Sequence, residues 1–183
     1  MPFAYYRKLS AKQKATYRKS DEISILPVPD VEALRTHVRQ LEAALASGQR
    51  LVTAKAASAL VSALCRQLGA PPVKVTVRMV RPQIRGGELH GLYRLADEGK
   101  DPTIDLWMRT VAHERIVRFR TFLRTLLHEV AHHLDVTLLG LDESFHTGGF
   151  FRRESSLVRQ LVTRPSSAKK EMAQRKPAQL ALF

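Results

Sequence analysis

The apolar residues of this chain change their spacing twice, and that restricts the fold more than any other feature. Leu34, Val38, Leu41 and Leu45 recur at helical intervals behind Asp30, a natural N-cap, and the run closes near Gly48. Thr53 opens a second helical stretch with Leu60, Val61, Leu64 and Leu68, stopped by Gly69 and Pro71-Pro72. Cys65 lies beside that apolar face and reads as core filler. The spacing then alternates: Val73, Val75, Val77 and Met79 face one way, Lys74, Thr76 and Arg78 the other, as in a half-buried strand. Extended stretches follow at 88–95 and 103–108, the latter with Ile104, Leu106 and Met108 on one side, and short connections favour antiparallel neighbours. From about Val111 the helical spacing returns through Ile116, Phe119, Leu123, Leu126, Leu127, Val130 and Leu134 to Gly140. Phe150, Phe151, Leu157, Val158 and Leu161 mark a last helix. The prediction is an α+β fold: N-terminal helices, a small mainly antiparallel sheet, one long helix and a C-terminal helix.

At 183 residues the chain can hold one domain with a sizeable core. Its net charge is +13, but the excess sits at the ends: +6 in residues 1–20, +4 in 164–183, and only +3 between them. The expected organisation is a basic arm at 1–29, a folded domain at 30–163, and a disordered basic tail at 164–183. In the arm, Ser10 is a candidate cap for a short helix through Lys19, while Tyr5, Tyr6 and Tyr17 either stack on nucleic-acid bases or pack on the domain. Basic ends suit a polyanion such as DNA, and they also serve solubility. No apolar run approaches the roughly 20 residues of a bilayer span, and no apolar stretch follows the charged start. The single cysteine excludes a disulfide framework and a cysteine-rich zinc ribbon. A cytoplasmic, nucleoid-associated protein without a membrane is the expectation.

The long helix carries His128-Glu129-Val130-Ala131-His132. Histidines at i and i+4 leave the same face one turn apart, so two imidazoles can converge on one ion. Glu129 can then reach a water without ligating the metal, which is the HExxH arrangement of zinc hydrolases. A catalytic zinc needs a third protein ligand and an open position. His146, in the loop before the last helix, is favoured over Asp142, Glu143 and Glu154, and Leu138 rules out a ligand six residues after His132. Asp135 is either a partner of a ligand imidazole or a solvated acid at the helix end. His133 points away from the ligand face, and nothing in the sequence identifies a residue that would stabilise an oxyanion.

With these residues in hand, the chain resembles the SprT-like, Spartan-related zinc metalloproteases over roughly residues 30–163. In that family the third ligand stands in His-Gly-x-x-Phe; here His146-Thr147-Gly148-Gly149-Phe150 keeps the His and the Phe and places Thr147 where the family has Gly. The resemblance implies a zincin-like fold, Zn²⁺ on His128, His132 and His146, and peptide hydrolysis with Glu129 moving the proton. It also implies that the strand at 103–108 is the sheet edge along which a substrate extends, and that the protein substrates are associated with DNA.

The chain ends in Gln179-Leu180-Ala181-Leu182-Phe183, which is similar to the bacterial sliding-clamp-binding peptide Gln-Leu-x-Leu-Phe. The residues that would engage a clamp are Gln179, Leu180, Leu182 and Phe183; the plain reading is an apolar end folded back on the domain. Two other functions stand beside the protease: a non-catalytic DNA or clamp adaptor stapled by zinc, and a zinc hydrolase of a non-peptide bond. Glu129 separates the first from an enzyme, because a structural metal has no use for a base beside it.

Overall fold

The computed structural model describes residues 3–95 and 101–162. A 3₁₀ turn (Ala4–Lys8) leads into α1 (Ala11–Glu22). The Ser10 side chain accepts from the Gln13 N–H and the Gln13 side chain accepts from the Ser10 N–H, a reciprocal cap that starts the helix. Next come α2 (Val31–Ala46), capped by the Asp30 carboxylate on the Ala33 N–H, and α3 (Arg50–Leu68). These two pack side by side and bury Leu34, Leu41, Leu45, Leu60 and Leu64. Cys65 is buried among them, and burial pushes its thiol up to about 11, so it is inert core.

The strands are β1 (Lys74–Val80), a short hairpin of β2 (Gln83–Ile84) and β3 (Gly87–Glu88), β4 (Gly91–Arg94) and β5 (Thr103–Arg109). The main sheet has the order β1-β5-β4. Its longest pairing is parallel, with Val75 opposite Ile104 and Val77 opposite Leu106, so the sheet is mixed rather than mainly antiparallel. The β2–β3 hairpin and β4 occupy the link between β1 and β5. That link carries the chain back to the start of β1, and β4 adds antiparallel on the far side of β5. The segment 103–108 is therefore the central strand, the edges are β1 and β4, and β4 is the one packed beside the long helix, which corrects the edge expected from the resemblance. Being central, β5 buries both faces from Ile104 to Met108, including Asp105, which pairs with Arg78 on β1 and Arg94 on β4.

The segment before the long helix also departs from its apolar spacing. Val117 donates its N–H to the Met108 carbonyl and Ile116 bridges Arg109, so 111–118 is irregular and Ile116 stands exposed, off the apolar stripe. α4 begins at Phe119 and runs to Thr137, burying Leu123, Leu126, Leu127, Val130 and Leu134 between the sheet, α2 and α5 (Gly148–Leu161).

The stretch read as an arm packs against this body from Phe3 onward. Tyr17 is 2% exposed, in edge contact with Tyr5 and Tyr6 and tilted against Phe145, so packing is its role. The end of α1 meets the start of α5 so closely that a Cβ on Gly149 would lie 2.3 Å from the Ser20 carbonyl oxygen. Among the described residues no helix is long and apolar enough to cross a membrane.

Candidate metal centre

His128 and His132 leave α4 one turn apart on the face toward β4 and the 139–147 loop, and His146 returns from that loop to meet them. The three Nε2 atoms form a near-equilateral triangle: 3.3 Å between His128 and His132, and 3.1 Å from each of these to His146. Among the described residues this is the one group of three or more metal-binding side chains with converging ligand atoms. A tetrahedral ion with Zn–N bonds of about 2.0–2.1 Å sets its ligand nitrogens about 3.3 Å apart, so the spacing fits such an ion.

The outer nitrogens argue for the same occupant. His128 Nδ1 lies 3.0 Å from Glu154 Oε2, and the Arg124 Nε–H donates to Oε1 at 2.6 Å. Burial alone would raise the Glu154 carboxyl, but these two hydrogen bonds hold it below its ordinary value and keep it an acceptor. His132 Nδ1 lies 2.8 Å from Ser144 Oγ, whose own proton goes to Asp135 Oδ2 at 2.8 Å. Both Nδ1 atoms are thereby donors, which leaves both Nε2 atoms as bare lone pairs aimed at each other. A proton can bridge one pair of nitrogens at a time; a metal ion satisfies all three. Burial, with His128 and His146 nearby, drives His132 down to about 3, and burial followed by the His128 charge also lowers His146, so these two rings are neutral at pH 7 and able to ligate.

Three further elements hold the triangle. Phe150 is fully buried beneath it, with ring centroids 4.6–5.1 Å from the three imidazoles. Thr147 caps α5 by accepting the Phe150 N–H at 2.9 Å and fixes the turn that follows His146. The Tyr5 hydroxyl donates to the His146 carbonyl at 2.9 Å, tying the N-terminal segment to the loop that carries this imidazole.

Glu129 is 7% exposed and faces the edge strand. Its Oε2 accepts the Tyr93 backbone N–H at 2.8 Å, and burial raises its carboxyl above the ordinary range against the opposing pull of His128 and that hydrogen bond. Hollows of about 730 and 590 Å³ open on either side and share Gly91, His128 and Glu129 in their walls. The triangle and the carboxylate thus sit at the middle of a cleft.

The predicted residues divide as follows. His128, His132 and His146 come together with Glu129 beside them. Asp135 touches no imidazole and reaches His132 through the Ser144 hydroxyl, while its other oxygen takes the fully buried Arg153 at 2.7 Å. Asp142 and Glu143 line the cleft but bind Lys12 and Gln13 instead of converging on the triangle. Glu154, weighed as a ligand, lies behind one. Gln179, Leu180, Leu182 and Phe183 lie outside the described residues. Ser144 and Arg153 went unread from the sequence; the available signal was an arginine at position 153 between Phe150 and Leu157, on the apolar stripe of α5, which demands a buried counter-charge. His133 is fully buried, with Nε2 2.9 Å from the Pro71 carbonyl and Nδ1 3.3 Å from the Tyr93 hydroxyl, and belongs to the packing.

Comparison of the chain with protein-family models, with curated proteins and with solved structures finds no match in any of the three.

Proposed function

We propose that this chain is a zinc-dependent metallopeptidase of SprT-like, zincin-like type that hydrolyses peptide bonds in DNA-associated proteins, crosslinked ones included. The observation that carries this reading is the triangle of bare imidazole nitrogens with a buried carboxylate beside it at the middle of a cleft. His128, His132 and His146 would hold the ion, and their neutral nitrogens suit Zn²⁺. When bound, Zn²⁺ supplies the Lewis acidity that makes water a nucleophile near neutral pH. Glu129 then has divided duties. Its Oε2 is anchored on Tyr93 and its Oε1 is left to take the water proton and deliver it to the leaving amine. Its raised proton affinity brings it closer to the working pH than a solvated glutamate would be.

The outer edge of β4 supports a peptide rather than a small substrate. Tyr93 spends its N–H on Glu129, so Tyr93 and Gly91 turn their backbone groups away from β5, toward the cleft. An extended segment laid along that edge passes the triangle. The exposed Arg7, Lys8 and Arg18 of the N-terminal segment support contact with DNA, and the terminal Gln-Leu-Ala-Leu-Phe supports recruitment by a sliding clamp in the cytoplasm.

Glu129→Gln tests the reading. The variant is expected to bind one zinc per chain by elemental analysis while hydrolysis of a protein substrate, with and without DNA, falls at least about 100-fold. Hydrolysis by the variant at the wild-type rate would refute Glu129 as the base, and no hydrolysis by the zinc-loaded wild-type chain would leave a zinc-stapled adaptor.

A further inference from the structure

The cleft carries opposite charges on the two sides of Glu129. On the Gly91 side its wall includes Arg120 and Arg124 together with Glu88 and Glu154. Both of those carboxylates are used internally: Glu88 accepts Arg81 and the Val111 N–H, and Glu154 accepts Arg124 and His128. Arg124 reaches Glu154 through Nε, and among the described residues Arg120 has no carboxylate within 4 Å. Arg120 also stands exposed in the first turn of α4, where the helix dipole disfavours a cation, so nothing local explains its charge. On the Tyr93 side the wall includes Asp142 and Glu143. Lys12 neutralises Asp142 at 3.0 Å, but among the described residues Glu143 has only the uncharged Gln13 amide at 3.0 Å and no cation within 4 Å.

From this split we infer that the cleft selects a charge-polarised peptide: an acidic side chain over Arg120 and a basic one over Glu143, on opposite sides of the bond cut. The inference rests on the peptidase reading and adds its substrate class. Direction follows from the strand. β4 runs from Gly91 toward Arg94, and antiparallel pairing is the stronger mode, so the Tyr93 side takes substrate residues N-terminal to the bond and the Gly91 side takes those C-terminal to it. Cleavage therefore follows a basic residue and precedes an acidic one. A nucleic-acid backbone is the poorer occupant, because its phosphates would meet Glu143 at one end and Glu129 at the middle.

The experiment uses end-blocked peptides of one parent sequence, with Asp, Asn or Lys placed on either side of the scissile bond. Cleavage is measured for the zinc-loaded full chain and binding for Glu129→Gln by fluorescence anisotropy. Asp on the C-terminal side is expected to exceed Lys there by about five- to tenfold in both readouts, with the gap narrowing as salt is raised. Arg120→Glu, which suits the helix dipole and leaves the fold intact, should reverse that preference; Glu143→Lys should reverse the one on the N-terminal side. Equal binding of all charge variants, or a preference that Arg120→Glu leaves unchanged, overturns the inference. So does loss of duplex-oligonucleotide binding in Arg120→Glu with peptide preference intact. If no peptide is cut, the peptidase reading falls, and the binding measurements still decide the charge preference.

Discussion

A Cβ on Gly91 would stand 2.6 Å from Oε1 of Glu129, and 2.7 Å from Cγ2 of Thr125. The edge strand thus passes Glu129 at a distance only a bare α-carbon allows, and two residues on it hands the same carboxylate the Tyr93 N–H. Gly91→Ala must displace either the strand or the carboxylate, and none of the three nearest atoms it would meet belongs to His128, His132 or His146. The expected outcome is a kcat about 10- to 100-fold lower with zinc affinity preserved. Steady-state kinetics beside a zinc titration checks this; parallel losses of zinc and activity would show that the contact serves the metal site instead.

Glu154 holds His128 from behind, and its effect is predicted on the metal rather than on the chemistry. Glu154→Gln keeps an acceptor for one partner but loses the charge that orders both the His128 ring and Arg124. Zinc affinity should fall about 10- to 100-fold in competition with a chromophoric chelator. Affinity within twofold of wild type would remove Glu154 from the site.

Removal of the metal should make stability sensitive to acid. His90, His132, His133 and His146 are all held below the ordinary histidine value, burial being the first cause in each case, and His132 goes down to about 3. The unfolded chain takes up protons near pH 6.5 that the folded chain refuses, so metal-free stability falls as pH drops through that value and keeps falling toward the lower folded values. Glu129 and Asp135, raised by burial, act in the opposite sense. Thermal unfolding of the chelator-treated protein should therefore show Tm declining from pH 7.5 to 6, with added zinc raising Tm at pH 7.5. A Tm that rises over that interval would contradict the reading of these rings as neutral in the fold.

The residues that the sequence made legible share one property: their chemistry depends on local spacing. Two histidines one helical turn apart must share a face whatever the rest of the chain does, and Ser10 with Gln13 caps a helix from within four residues. The sheet order was not legible, because nothing local tells β5 that β1 will lie on one side of it and β4 on the other. Its alternating Ile104, Leu106 and Met108 read as a one-sided strand, while the burial of Asp105 depends on arginines 27 residues upstream and 11 residues upstream. Ser144 and Arg153 were hidden for the same reason. A hydroxyl in a loop and a guanidinium on a helix acquire meaning only when α1, α4 and α5 bring Ser20, Asp135 and His132 to them.

The C-terminal pentapeptide predicts a separation of recruitment from catalysis. Gln179, Leu180, Leu182 and Phe183 lie more than fifteen positions beyond the last residue of α5, outside the described residues. Deleting 179–183 should abolish binding to a bacterial sliding clamp in a pull-down or by calorimetry and leave cleavage of a DNA-free peptide unchanged. On clamp-loaded DNA the same deletion should lower cleavage of a bound protein, because tethering raises the local concentration of enzyme over its substrate without adding any contact at the bond cut. Phe183→Ala and Leu182→Ala should each reproduce the effect in part, since an apolar plug loses its burial when either side chain is cut back. Clamp affinity that survives the deletion would show that the terminus serves another purpose, and a loss of peptide cleavage in the deletion would tie it to the folded domain.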